Sequence, residues 1–255
     1  MHSLRNYPLL VFVVSLAVLW LAAQAGVFFR RHLRPLEEDE WKDLETVLAG
    51  TLTLLGLLIA FSFSMAISRY DQRKNLEAEE ANAIGTEYVR SDLLPPPDAE
   101  KAHALLREYL EQRVLFYETG DSRQRQILQI DVNTNRLETE LWSVARDSAG
   151  KQPTPIQALV VGGMNDVLNA RGYTQAAWWN RVPVAAWSLM VSIAIFCNYL
   201  IGYTAHRVGI LLFLVLPLAL SIAFFLIADI DSPHGGIIRV LPQNLISLSE
   251  SLHPE

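Results

Sequence analysis

From Gly56 to Pro97 the chain passes from a stretch apolar enough to cross a membrane into a charged one, with no glycine or proline at the boundary to stop a helix. One continuous helix is therefore predicted, shared between a membrane region and a soluble one and ended by Pro95, Pro96 and Pro97 just beyond Leu94. Along its apolar half Gly56, Ala60, Ser64 and Ser68 recur every four residues, so they share one face. Small residues at that spacing let another helix approach closely in lipid; alternatively, Ser64 and Ser68 line a hydrated path. Past Arg69 the same helix shows Leu76, Ile84 and Tyr88 on one face, with Glu80 between them at the four-residue spacing. A carboxylate on an apolar stripe is costly to bury without a partner, which places Glu80 at a solvated helix edge.

Apolar runs fix the rest of the membrane region. Leu9 to Phe29 is long enough to cross a bilayer, is interrupted only by Ser15 and Gln24, and stops at Arg30-Arg31. A second reading takes Ala23-Gln24-Ala25 as a signal-peptide cleavage site. A short connector holds a basic cluster (Arg30, Arg31, Arg34) and an acidic one (Glu37, Glu38, Asp39, Glu40). Val47 to Ile67 is the second span, about 182–203 the third and about 208–230 the fourth, with Pro217 placed to kink the last. Trp178, Trp179 and Trp187 flank the third span, as indole rings do at a membrane interface. Ala194, Asn198 and Gly202 make another four-residue stripe there, with Asn198 able to hydrogen-bond across helices.

Between the second and third spans the composition becomes that of a soluble helical domain. Asp98 is the predicted N-cap of a helix ending near Gly120, with Ala102, Leu105, Leu106, Tyr109, Leu110, Phe116 and Tyr117 as its apolar stripe. Gly120-Asp121-Ser122 reads as a C-cap and new N-cap; the strand and downstream histidine that a lipase nucleophile requires are not evident. Ile127, Ile130, Thr134, Leu137, Leu141 and Val144 form a short heptad-type seam, read as packing within the domain rather than between subunits. Gly150 ends that helix. Thr154-Pro155-Ile156-Gln157 is a capping box with proline at the first helical position. The helix it opens shows Ile156, Leu159, Val160, Met164, Val167 and Leu168 on its inner face, and Gly162-Gly163 within it reads as close helix packing.

The expected fold is an all-α membrane protein, four transmembrane helices with a helical soluble domain inserted between the second and third. Its segments are 1–68, 69–181, 182–230 and a C-terminal tail, 231–255. A net charge of −6 argues against a nucleic-acid partner. A single cysteine, Cys197, excludes an intramolecular disulfide, and six scattered histidines suggest no metal site. No cofactor motif is present. Basic residues near the spans are balanced between the two sides, so the positive-inside rule does not orient the chain.

GLLIAFSFSMAISRYDQRKNLEAEEANAIGTEYVRSDLLP, with Arg69-Tyr70, Arg73 and Glu80-Ala81-Asn82, and again LIADIDSPHGGIIRV near the end, resemble the bacterial bestrophin-like domain proteins over nearly the whole chain. The resemblance implies a homo-oligomer, pentameric in true bestrophins, that passes ions, with anions as the preferred species. It also implies an inner-membrane location with the helical domain in the cytoplasm. The chain departs from bestrophins in two ways. The phenylalanine-rich neck has no position-by-position match beyond Phe61 and Phe63, and no acidic calcium clasp is evident.

Arg69 and Arg73, at the end of the second span, are expected to meet Asp229 and Asp231 at the end of the fourth, as a charged vestibule or as a salt bridge fixing helix ends. The pore or vestibule candidates are thus Phe61, Ser64, Ser68, Arg69, Arg73, Glu80, Asn198, Asp229 and Asp231. Asp229-Ile230-Asp231 lacks the α/β context of a metal-binding pair in a sugar transferase, and His234-Gly235-Gly236 reads as a turn. No catalytic constellation stands out, and the resemblance to bestrophins implies a channel-like pore. The alternative is a non-conducting membrane scaffold whose helical domain recruits a cytosolic partner.

Overall fold

The computed structural model describes residues 7–32, 38–119, 124–204, 210–233 and 235–252. Among these residues the chain is helical, with no strand: α1 (Pro8–His32), α2 (Glu38–Arg90), a 3-10 turn (Ser91–Leu93), α3 (Pro96–Glu118), α4 (Gln124–Lys151), α5 (Pro155–Trp179), α6 (Val184–Thr204), α7 (Ile210–Asp231) and α8 (Gln243–Leu252). Helical stretches long and apolar enough to cross a membrane lie in Pro8–His32, Asp39–Leu93, Pro155–Thr204 and Phe213–Asp231. The all-α membrane fold is therefore as expected. Two compact units result, Met1–Ser68 with Arg181–Ile238 and Arg69–Asn180 with Arg239–Glu255. The helix α2 contributes residues to both.

In the membrane unit, backbone approaches backbone where side chains are smallest. A Cβ on Gly202 of α6 would overlap the Ala23 carbonyl of α1, and one on Gly26 would overlap the Tyr199 carbonyl. Hydrophobicity does not hold helices together in lipid, so this close packing carries the α1–α6 contact. Ala23, taken as part of a cleavage signal in one reading, is one of its contact residues. Leu19, Ala194, Cys197 and Phe224 are buried beside it. Trp187 meets Phe224 edge-on at 6.0 Å. Outward-facing Leu9, Val13, Leu21, Phe28 and Phe29 are exposed, as expected of side chains whose solvent is hydrocarbon.

The helical unit has an ordinary apolar core. Leu106, Tyr109 and Leu110 of α3, Leu137 and Leu141 of α4, and Val160, Met164 and Val167 of α5 are all buried in it. The α4 seam faces inward as expected, with Ile130, Thr134, Leu137, Leu141 and Val144 buried. At the start of α5, Thr154 Oγ1 accepts from Gln157 N at 3.2 Å. The Gln157 side chain does not complete the capping box; its Oε1 accepts from Ser148 Oγ at 3.3 Å.

Several expectations are corrected. The prolines end α2 and also open α3: α2 closes in the 3-10 turn, Pro95 takes the N-cap position, and Pro96 begins α3. Asp98 is therefore inside the first turn of α3 rather than its cap. Proline is tolerated there because first-turn amides have no intrahelical acceptor. Helix α4 continues past Gly150 to Lys151. Ile156 and Leu159 are exposed, and the inner face of α5 runs instead through Val160, Gly163, Met164, Val167 and Ala170. Trp178 is a core residue, 4.9 Å from the Phe116 ring, whereas Trp179 is exposed. The final segment, expected as a tail, folds as α8 in the helical unit. Arg34 and Glu37 of the first connector, the Gly120-Asp121-Ser122 cap, residues 205–209 between the third and fourth spans, and His234 lie outside the described residues.

Candidate functional site

Helix α2 is 53 residues long and has residues in both units. Its membrane part has two unlike faces. Leu55, Ser62 and Ala66 are buried within the unit. Gly56, Ala60, Ser64 and Ser68 are exposed, and Phe61 beside them is 61% exposed. A Cβ built on Gly56 would meet nothing within 4 Å. The four-residue stripe is thus a face to which its own chain offers no partner among the described residues.

Beyond Ser68 the buried face of α2 changes character. Arg73, Glu77, Glu80, Ile84, Glu87 and Ser91 are buried and spaced alternately by four and three. This is a heptad seam in which only Ile84 is apolar. Each carboxylate must be satisfied or neutralised at that depth, and the three differ in how this is done.

Glu77 caps α8. Its Oε1 accepts from Asn244 N and Leu245 N, both at 3.0 Å, and its Oε2 accepts from Asn244 Nδ2 at 2.6 Å. A carboxylate at those amides also complements the positive end of the helix dipole.

Glu80 forms an ion pair with Arg113 of α3, through Nε to Oε1 and through Nη2 to Oε2 at 3.4 Å. Thr174 Oγ1 donates to Oε2 at 3.1 Å, as does Tyr117 Oη at 3.4 Å. The solvated-edge reading of Glu80 is therefore corrected: the residue is fully buried, which its four donors make tolerable. Burial works against the charge on Arg113, but the adjacent Glu80 carboxylate outweighs it and holds the guanidinium above its usual range. Arg113 also lies 4.5 Å above the Phe116 ring.

Glu87 has the least support. Neither carboxyl oxygen accepts a hydrogen bond among the described residues. Arg90 Nη1 lies 3.9 Å away, and a Cβ on Gly163 of α5 would overlap Oε2. Burial, with Arg90 opposing and Asp166 assisting, pushes this carboxyl up to about 8.

The aspartates at the end of α7 bind main chain. Asp229 accepts from Ile237 N at 2.7 Å and from Ile238 N at 2.9 Å. Gly236 lets the turn close, since a Cβ there would press on the Asp229 carbonyl. Asp231 accepts from Val182 N at 3.0 Å, tying the start of the third span to the end of the fourth. Asn198 is buried and donates to Ala194 O of its own helix at 2.8 Å.

The candidate residues thus separate by environment. Phe61, Ser64 and Ser68 lie on the open face, Arg69 is half-buried, and Arg73, Glu80, Asn198, Asp229 and Asp231 are buried within the chain. Arg113, Glu77, Glu87 and Asn244 were not singled out from sequence. Arg113 had a visible signal, because it continues the buried stripe of Leu106, Tyr109 and Leu110 by one turn. No group of three or more His, Cys, Asp or Glu residues is placed to hold a metal among the described residues.

Comparison with known proteins adds a family. The model of the bestrophin-like domain matches residues 9–245. A solved bacterial bestrophin homologue from Klebsiella pneumoniae superposes with a TM-score of 0.60 at 14% identity, covering 96% of this chain and 99% of that one. A tryptophan-to-alanine variant of a Klebsiella pneumoniae homologue gives 0.62 at 16% identity, covering 94% and 93%. Comparison with curated proteins gives no match.

Proposed function

Because the chain belongs to the bestrophin-like domain family, we propose that copies of it, five on the family pattern, assemble in a bacterial inner membrane around an ion-conducting pore lined by the open face of α2. The observation that carries this reading is the stripe from Gly56 to Ser68, exposed and unobstructed in a single chain. Small residues allow several copies of α2 to converge on an axis, and the Ser64 and Ser68 hydroxyls offer oxygens to a partly dehydrated ion. Phe61 supplies a hydrophobic narrowing of the kind that gates by dewetting. Arg69, at the end of the stripe, favours anions at the mouth. The helical unit faces the cytoplasm.

Purified oligomer in liposomes tests this directly. Ion flux is expected, with Ser64→Leu lowering it, Phe61→Ala raising it, and Arg69→Gln shifting the reversal potential away from that of chloride. Monodisperse, folded oligomers that pass no ions would sink the reading.

A scaffold role has its own support in Leu128 and Val132, exposed one turn apart on α4 at 62% and 61%. Under that reading Leu128→Glu with Val132→Glu abolishes capture of a specific cytosolic protein by the full chain. Under the channel reading the same change leaves flux intact.

A further inference from the structure

We propose that the Glu87 carboxyl is a proton-binding site that sets how closely α5 seats on α2: the neutral acid is held against Gly163, and the carboxylate is not.

The geometry comes first. Glu87 is fully buried, and the α5 backbone lies directly on its carboxyl because residue 163 has no side chain. A neutral carboxyl tolerates this position. A carboxylate there has lost its hydration without gaining a hydrogen bond among the described residues.

The charges around it do not compensate. On α2, Arg90 stops at 3.9 Å and is 37% exposed, so solvent screens it. On α5, Asp166 is exposed and adds negative charge. In the 3-10 turn, the charged residue is Asp92, which is exposed and lies 3.4 Å from His103. Glu77 and Glu80, on the same face, serve as a control within the molecule. Their carboxyl oxygens accept hydrogen bonds from neighbouring donors, and those of Glu87 accept none among the described residues.

The titration falls in a physiological window. Burial, partly offset by Arg90 and reinforced by Asp166, raises the Glu87 carboxyl from 4.5 to about 8. Because folding raises this value, the contribution to stability is fully present below about 4.5 and is lost as the pH climbs through about 8. Once charged, the carboxylate needs water; the Arg90 guanidinium, whose Nη1 is itself packed against Gly163, stays 3.9 Å away, and hydrating the carboxylate requires α5 to lift from Gly163. Glu87 thus acts as a latch that alkalinity releases.

Hydrogen exchange on the full-length protein in lipid nanodiscs tests this, with rates corrected for intrinsic pH dependence. With a carboxyl value of about 8 when α5 is seated and 4.5 once it is released, lifting becomes about a hundredfold easier between about pH 6 and about pH 9, and protection of amides around Gly163 is expected to fall by that factor. Glu87→Gln should keep its protection at the higher pH. Two surface variants preserve the buried group and move its midpoint: Asp166→Asn downward and Arg90→Met upward. The readout is independent of conduction, so it stands or falls apart from the channel reading. Protection that is flat with pH in the wild type, a fall that persists in Glu87→Gln, or a midpoint indifferent to both surface variants would each overturn the proposal. If Glu87→Gln does not fold, the two surface variants decide.

Discussion

The two parts of α2 are built on opposite rules. In the membrane part the face made of the smallest residues, Gly56 to Ser68, is left uncovered by its own chain. In the helical unit the charged face is the covered one, with Arg73, Glu77, Glu80 and Glu87 buried. The contrast follows from what surrounds each part. In lipid an apolar surface gains nothing by leaving its solvent, so small residues must wait for a backbone that comes close. In water the apolar residues of α3, α4 and α5 close around α2 and take its charges inside, where each must find a partner or lose its charge. One helix thus has a face that its own chain leaves open and a face for internal wiring.

The strongest way to break this comparison is to leave one buried charge alone. Arg113→Leu removes the partner of Glu80 and should cost about 3–5 kcal/mol of helical-unit stability in denaturant titrations. Adding Glu80→Leu should restore most of it; if the double variant is no better, the pair is not the reason for the loss. Next is Glu77→Ala, which strips the cap from α8. Losing hydrogen bonds to a charged group costs about 1.5–3 kcal/mol, read as faster proteolysis between Arg239 and Leu252. Proteolysis at the wild-type rate would mean that apolar contacts alone hold α8. In the membrane unit, Gly202→Ala forces a methyl group into the Ala23 carbonyl and should cost about 1–3 kcal/mol. The smallest effect belongs to Gly56→Ala, which should change single-chain stability by less than about 1 kcal/mol while altering assembly or flux. If it unfolds the protein as badly as Gly202→Ala, that face is not open.

Much of this was legible in the sequence. Four apolar runs, the inward seam of α4 and the cap at Thr154 are local patterns, and the structure keeps them. The small-residue stripes were visible as well, but spacing alone does not say which one its own chain covers. Gly202 is covered by α1 and Gly56 is not. The buried charges were harder to read because burial of an ion is decided by two elements together. Glu80 on one stripe looks like an error, and so does Arg113 on another. Only the two stripes compared, with opposite charges at corresponding depth, reveal a pair. Helix α8 was missed because four apolar residues in ten, over fewer than three turns, make too short a pattern to stand alone. Its cap comes from Glu77, 167 residues away.

That distance has a consequence for how the protein is made. Glu77 leaves the ribosome with the second span, and its partners at Asn244 and Leu245 follow 167 and 168 residues later. At roughly 5–20 residues per second this is a wait of about 10–30 s, during which the two membrane segments of the second hairpin are also inserted. Through that interval the groove meant for α8 stays open and its carboxylate stays hydrated. Completion of the helical unit is therefore an event after translation, and a chain shortened by its last dozen residues would keep its membrane segments but remain permanently in that nascent state.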